Sequence, residues 1–157
     1  MVIAKKYGVL LVMLIIGFVV IGCENVNRRS SVPYAPVDYT LNITREYPHF
    51  VVENYPSPIV ITQKKLLNEF IGYAGLLIWV GMDNAYHAAD LCCPYCVKRN
   101  KPLTVDGMFA VCELCGEHYD ISLGFGFPTK GITDEPLKQY NTSLIIGAAE
   151  KKLRIRN

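Results

Sequence analysis

Five of the six cysteines of this 157-residue chain fall between residues 92 and 115. Four form two C-x2-C pairs, Cys93-Pro94-Tyr95-Cys96 and Cys112-Glu113-Leu114-Cys115, separated by 15 residues. That spacing lies within the range of metal sites built from two knuckles. Two thiolates three positions apart in a tight turn can point the same way, and a hairpin between two such turns brings the pairs together. A soft, tetrahedral sulfur cage suits zinc, a single iron or an iron-sulfur cluster. Gly116 directly follows the second pair and lets backbone amides turn toward the sulfurs. The competing use is disulfide bonding, the normal fate of thiols in an oxidising compartment. Paired C-x2-C cysteines are atypical of staples between distant strands, and roughly 120 residues can build a core without bridges. Two alternates stand beside the four: Cys92, a buried apolar residue or a replacement for Cys93 as first ligand, and His118, which forms a Cys115-x-x-His118 pair in another register.

The elements around the cysteines read as strands. "YTLNITR" (39–45) alternates and is β-branched, "HFVVEN" (49–54) and "SPIVIT" offer two more short strands, and "TQKKLLNEFIG" is a helical turn or a loop. "AGLLIWVG" is the most apolar run after residue 22 and predicts a central strand buried on both faces, with "DNAYHAAD" as its hairpin partner across "GMDN". Between the knuckles, "LTVDGMFAVC" predicts a hairpin turning at Asp106-Gly107. "LGFGFPTKG" is loop-rich, "LKQYNTSLII" supplies one or two strands and "KKLRIRN" the last.

"AVCELCGEHYDISLGFGFPTKGITDEPLKQY" resembles the second cluster-binding loop of Rieske proteins together with the segment downstream of that loop. Gly116, Tyr119 and Asp120 hold the family's Gly, aromatic and Asp places, Gly124 and Gly131 its loop glycines, and Pro136-Leu137 its Pro-Leu. Upstream, "AGLLIWVGMDNAYHAADLCCPYC" is similar to the strands leading into the first Rieske loop. The likeness spans roughly residues 68–157. Both cluster histidines are replaced: Cys115 stands at one place, and Tyr95 followed by Cys96 at the other. The resemblance implies an all-β fold, a Rieske-like antiparallel β-sandwich with a small rubredoxin- or zinc-ribbon-like metal-binding subdomain at about 91–131. It also implies electron transfer as a ferredoxin-like carrier or accessory subunit, with an unknown protein redox partner, rather than a stand-alone enzyme. The centre would be a four-cysteine 2Fe-2S cluster or a single iron, with zinc the close alternative and a metal-free relic of the fold the third reading.

The N-terminus points to the cell envelope. Lys5 and Lys6 precede "YGVLLVMLIIGFVVIG" (7–22), 16 residues without a charge. This is the pattern of a secretory signal and is shorter than the roughly 20 residues of a membrane span. Val20-Ile21-Gly22-Cys23 resembles the lipobox of bacterial lipoprotein precursors. Residues 1–22 are therefore expected as a signal peptide, Cys23 as the lipid attachment site, 23–38 as a flexible tether and 39–157 as the folded domain. The expected location is lipid-anchored, on the periplasmic face or the cell surface, with acyl chains contacting the membrane. Of the 16 Lys and Arg, two precede Cys23, which leaves 14 against 14 Asp and Glu. A balanced chain without a basic stripe argues against nucleic acid as a partner.

Overall fold

The computed structural model describes residues 30–157, so the signal segment and Cys23 lie outside the described residues. In chain order the elements are β1 (Val37–Asn42), a helical turn α1 (Ile43–Glu46), a 3-10 turn (Val52–Asn54), β2 (Ile59–Ile61), β3 (Phe70–Ile71), β4 (Leu76–Val80) and β5 (Tyr86–Asp90). After these come β6 (Thr104–Asp106), β7 (Phe109–Val111), β8 (His118–Asp120), β9 (Phe127–Lys130), β10 (Gln139–Ile146) and β11 (Lys151–Arg156). No helix among the described residues is long and apolar enough to cross a membrane.

Seven strands form one antiparallel sheet in the order β2-β4-β5-β10-β11-β1-β3. β10 joins its halves: Gln139 and Tyr140 pair with β5, while residues 141–146 pair with β11. The alternation of β1 buries Val37, Tyr39 and Leu41 between exposed Asp38 and Thr40, and β11 matches it with buried Leu153 and Ile155. These side chains meet Ile59, Ile61, Leu76, Ile78, Val80 and Ala88 from the other half. The two layers expected of a sandwich are thus halves of one curled sheet closed over a common core.

β4 explains how a second core is attached. Its five residues are all buried, as the uninterrupted apolar run predicts. Leu76, Ile78 and Val80 face the large core, whereas Leu77 and Trp79 face a second one with Ala89, Leu91, Leu103, Ala110, Tyr119 and Ile121. That second core lies beneath the small antiparallel sheet β6-β7-β8-β9. Cys93 and Cys112 belong to it.

Several local expectations change. The strand expected over 39–45 stops at Asn42, whose side chain accepts a hydrogen bond from Arg45 N at 3.1 Å and caps the helical turn. Residues 49–54 form no strand: Phe50 is buried and its amide donates to Tyr47 O, so burial there comes from a turn near Pro48 rather than from a ladder. Residues 62–69 are a loop with Leu66 and Leu67 exposed, and Phe70 enters β3. Asp106 pairs with Phe109, which moves the knuckle hairpin turn one residue on, to Gly107-Met108. Residues 30–38, expected within a flexible tether, are held to the domain: Val32 is buried, Ser30 Oγ and Ser31 N donate to Glu135, and β1 begins at Val37.

Candidate metal centre

Each knuckle is a reverse turn closed by its own backbone. Val97 N donates to Cys93 O at 2.9 Å, and Gly116 N donates to Cys112 O at 2.8 Å. Gly116 takes a φ of 73°, a conformation that suits glycine and brings the following amides round toward the sulfurs. Cys112 N donates to Glu117 O at 2.9 Å, which ties the second knuckle to the start of β8. The β6–β7 hairpin spans the space between the turns.

The result is convergence. The sulfurs of Cys93, Cys96, Cys112 and Cys115 all lie within 4.8 Å of one another. Cys93 Sγ is 3.7 Å from Cys115 Sγ, and Cys112 Sγ is 3.8 Å from Cys96 Sγ. All five cysteines from Cys92 to Cys115 are free thiols, so the disulfide alternative is not realised. A tetrahedral ion with metal–sulfur bonds of about 2.3 Å has sulfur–sulfur edges of about 3.8 Å. These two separations match that edge, and the group can hold one metal ion.

Cys92 and His118 stand outside the four-sulfur group. Cys92 is fully buried, and its sulfur contacts Cys93 O at 3.6 Å. Burial, then the adjacent Asp90 carboxylate, pushes its thiol up to about 12. It is a core residue, and the first of the four converging sulfurs is that of Cys93. His118 lies on β8 with its ring against the edge of Phe109, 6.2 Å between centroids. His87 stacks on Trp79 and contacts Asp83 at 3.0 Å.

The electrostatics fit a cation. Burial pushes the Cys96 and Cys115 thiols up. At Cys96 the Cys115 sulfur opposes the rise and those of Cys112 and Cys93 add to it, while at Cys115 the Glu117 amide opposes it and the other three sulfurs add to it. Burial also opposes ionisation of Cys112, yet the amides of Cys115 and Leu114 and the neighbouring thiols outweigh it and bring that group down. Four sulfurs this close repel one another when ionised. A divalent or trivalent ion removes the conflict.

Three further residues complete the surroundings, and two of them carry no signal in the sequence. Tyr119, fully buried on β8, places its hydroxyl 3.4 Å from Cys93 Sγ. Burial, with the Cys93 sulfur adding to it, pushes this phenol up, so it stays protonated and is placed to donate to Cys93 Sγ. Asp90 and Glu117 are the buried charged side chains among the described residues. Asp90 accepts from Tyr73 N, Ala74 N, Cys92 N and Tyr140 Oη at 2.6, 3.0, 2.8 and 2.7 Å. It therefore fastens the first knuckle to the large sheet. Glu117 accepts from Ile132 N and from Thr133 N, and fastens the second knuckle to the loop after β9. Its carboxylate packs on Gly131, where φ is 132° and a β-carbon would overlap it.

Set against protein-family models, curated proteins and solved structures, the chain matches none. Its chemistry therefore rests on the site.

Proposed function

We propose that this protein is an electron carrier that works through a single iron held by Cys93, Cys96, Cys112 and Cys115. The observation that carries the proposal is the set of four free sulfurs within 4.8 Å of one another. That spacing favours one ion over a two-iron cluster, in which the two cysteine pairs would sit farther apart on separate irons. Iron in such a cage gains and loses one electron without losing a ligand. The surrounding residues support that use. Tyr119 is placed to donate to Cys93, and the amides of Leu114, Cys115 and Glu117 at the second knuckle would spread the negative charge of its sulfurs. Cys96 and Cys115 are only half-buried, which keeps the path to a partner short, and Tyr95 and Leu114 are exposed beside them. The Rieske resemblance of residues 112–120 and 136–137 supports the electron-transfer class. The N-terminal pattern supports a lipid-anchored protein of the cell envelope that meets its redox partner at the membrane.

A second reading has its own observation. All four tetrahedral positions are taken by cysteine, the ligand set of a closed structural zinc site, and the strands of the small sheet are only three or four residues long. Zinc would then hold the subdomain together, and the protein would act by binding a partner. Metal analysis with an absorption spectrum of the purified chain separates the two. One iron per chain without inorganic sulfide, with thiolate-to-iron bands that bleach on reduction, is expected. One zinc and a colourless protein would replace the first reading by the second.

A further inference from the structure

Away from the sulfurs, at the junction of the two cores, lies an open cleft of about 610 Å³. Its size is that of a small-molecule site. One wall is the segment 34–36, another the loop 70–75 that leads into β4, and Arg99 closes it from the metal-binding side. The lining combines three rings, Tyr34, Phe70 and Tyr73, with two cations, Lys64 and Arg99, and contains no acidic side chain.

Both cations are held without being neutralised. Lys64 Nζ sits 4.8 Å from the Phe70 ring centroid, and the Arg99 guanidinium 5.7 Å from that of Tyr73. Neither joins an ion pair among the described residues, whereas Lys65, Lys152, Arg154 and Arg156 each do. The loop between them is fixed from behind. Tyr73 N and Ala74 N donate to buried Asp90, and Gly72 N donates to Pro36 O at 3.1 Å. The amides of Gly72, Tyr73 and Ala74 are therefore committed elsewhere, and recognition falls mainly to the side chains. Rings with a cation over the face match a planar anion, which can stack on an aromatic surface while its carboxylate meets the guanidinium and ammonium donors.

We propose that this cleft binds a small planar organic anion of the aromatic carboxylate class, with Lys64 and Arg99 recognising the carboxylate. The inference is independent of which metal the cysteines hold. Its test is titration of the isotopically labelled full chain with benzoate, monitored through backbone amide resonances, alongside the uncharged analogue benzamide. Saturable shifts confined to residues 72–75 and to Arg99 are expected, with benzamide binding at least tenfold more weakly. A K64A/R99A double variant should keep the remaining spectrum and weaken benzoate at least tenfold. Both side chains are exposed, so the fold does not depend on them. Absence of shifts in 72–75, equal binding of benzamide, or undiminished binding by the double variant would overturn the proposal.

Discussion

Tyr119→Phe removes one oxygen from the metal site and leaves the ring that packs the second core. The hydroxyl lies 3.4 Å from Cys93 Sγ, its hydrogen-bond partner among the described residues. In the metal-loaded protein it donates to a thiolate, and a hydrogen bond to a charged group contributes about 1.5–3 kcal/mol. Sulfur is a weak acceptor and the contact is long, which favours the lower end, about 1.5 kcal/mol. Without a metal-bound acceptor, a neutral hydrogen bond of the same geometry contributes about 0.5 kcal/mol or less. The difference, about 1 kcal/mol, should appear as a five- to tenfold loss of metal affinity, since about 1.4 kcal/mol corresponds to a factor of ten. Competition with a chromophoric chelator measures that loss, and urea unfolding of the metal-free variant supplies the control. Unchanged affinity would refute the assignment of Tyr119 as a donor to the site. An equal loss of stability with and without metal would show that the hydroxyl serves only packing.

Other perturbations test the framework. Leu77→Ala should cost about 2–5 kcal/mol in urea unfolding, because Leu77 is fully buried in the core shared by β4 and the metal-binding layer. Asp90→Asn places a donor where four donors converge, and should cost several kcal/mol and lower metal affinity as well, because Cys92 N loses its anchor; loss of stability with full affinity would uncouple Asp90 from the knuckle. Metal entry should release protons. The Cys96 and Cys115 thiols are pushed up and therefore protonated at neutral pH, so about two or more protons should appear per metal in a weakly buffered indicator assay. Protons and metal compete for the same sulfurs, so affinity falls as pH drops and rises toward the thiol pKa values; a pH-independent affinity would contradict this.

The site was legible because its geometry is local. Three-residue spacing defines each knuckle, and Asp106-Gly107 between apolar residues announces the hairpin that joins them, although the turn itself falls one residue later. β4 was legible because a strand buried on both faces has no polar positions to interrupt its pattern. Residues 49–54 misled because apolar content signals burial without specifying a ladder partner, and Phe50 reaches the core from a turn. The buried carboxylates were hidden for the opposite reason. Asp90 looks like the last polar residue of an alternating strand and Glu117 like ordinary loop charge, and only long-range contacts with Tyr140 and with residues 131–133 make them structural. The segment 30–38 looked like a tether because its polar and proline-rich composition does not reveal that Glu135 and Lys138 hold it.

X-ray absorption at the metal edge of the purified chain tests the central claim most directly. One ion per chain with four sulfur neighbours at about 2.3 Å, and no second metal nearby, is the predicted result. A metal–metal distance in the spectrum, nitrogen or oxygen in place of sulfur, or a metal-free protein with its knuckle cysteines oxidised would contradict the account.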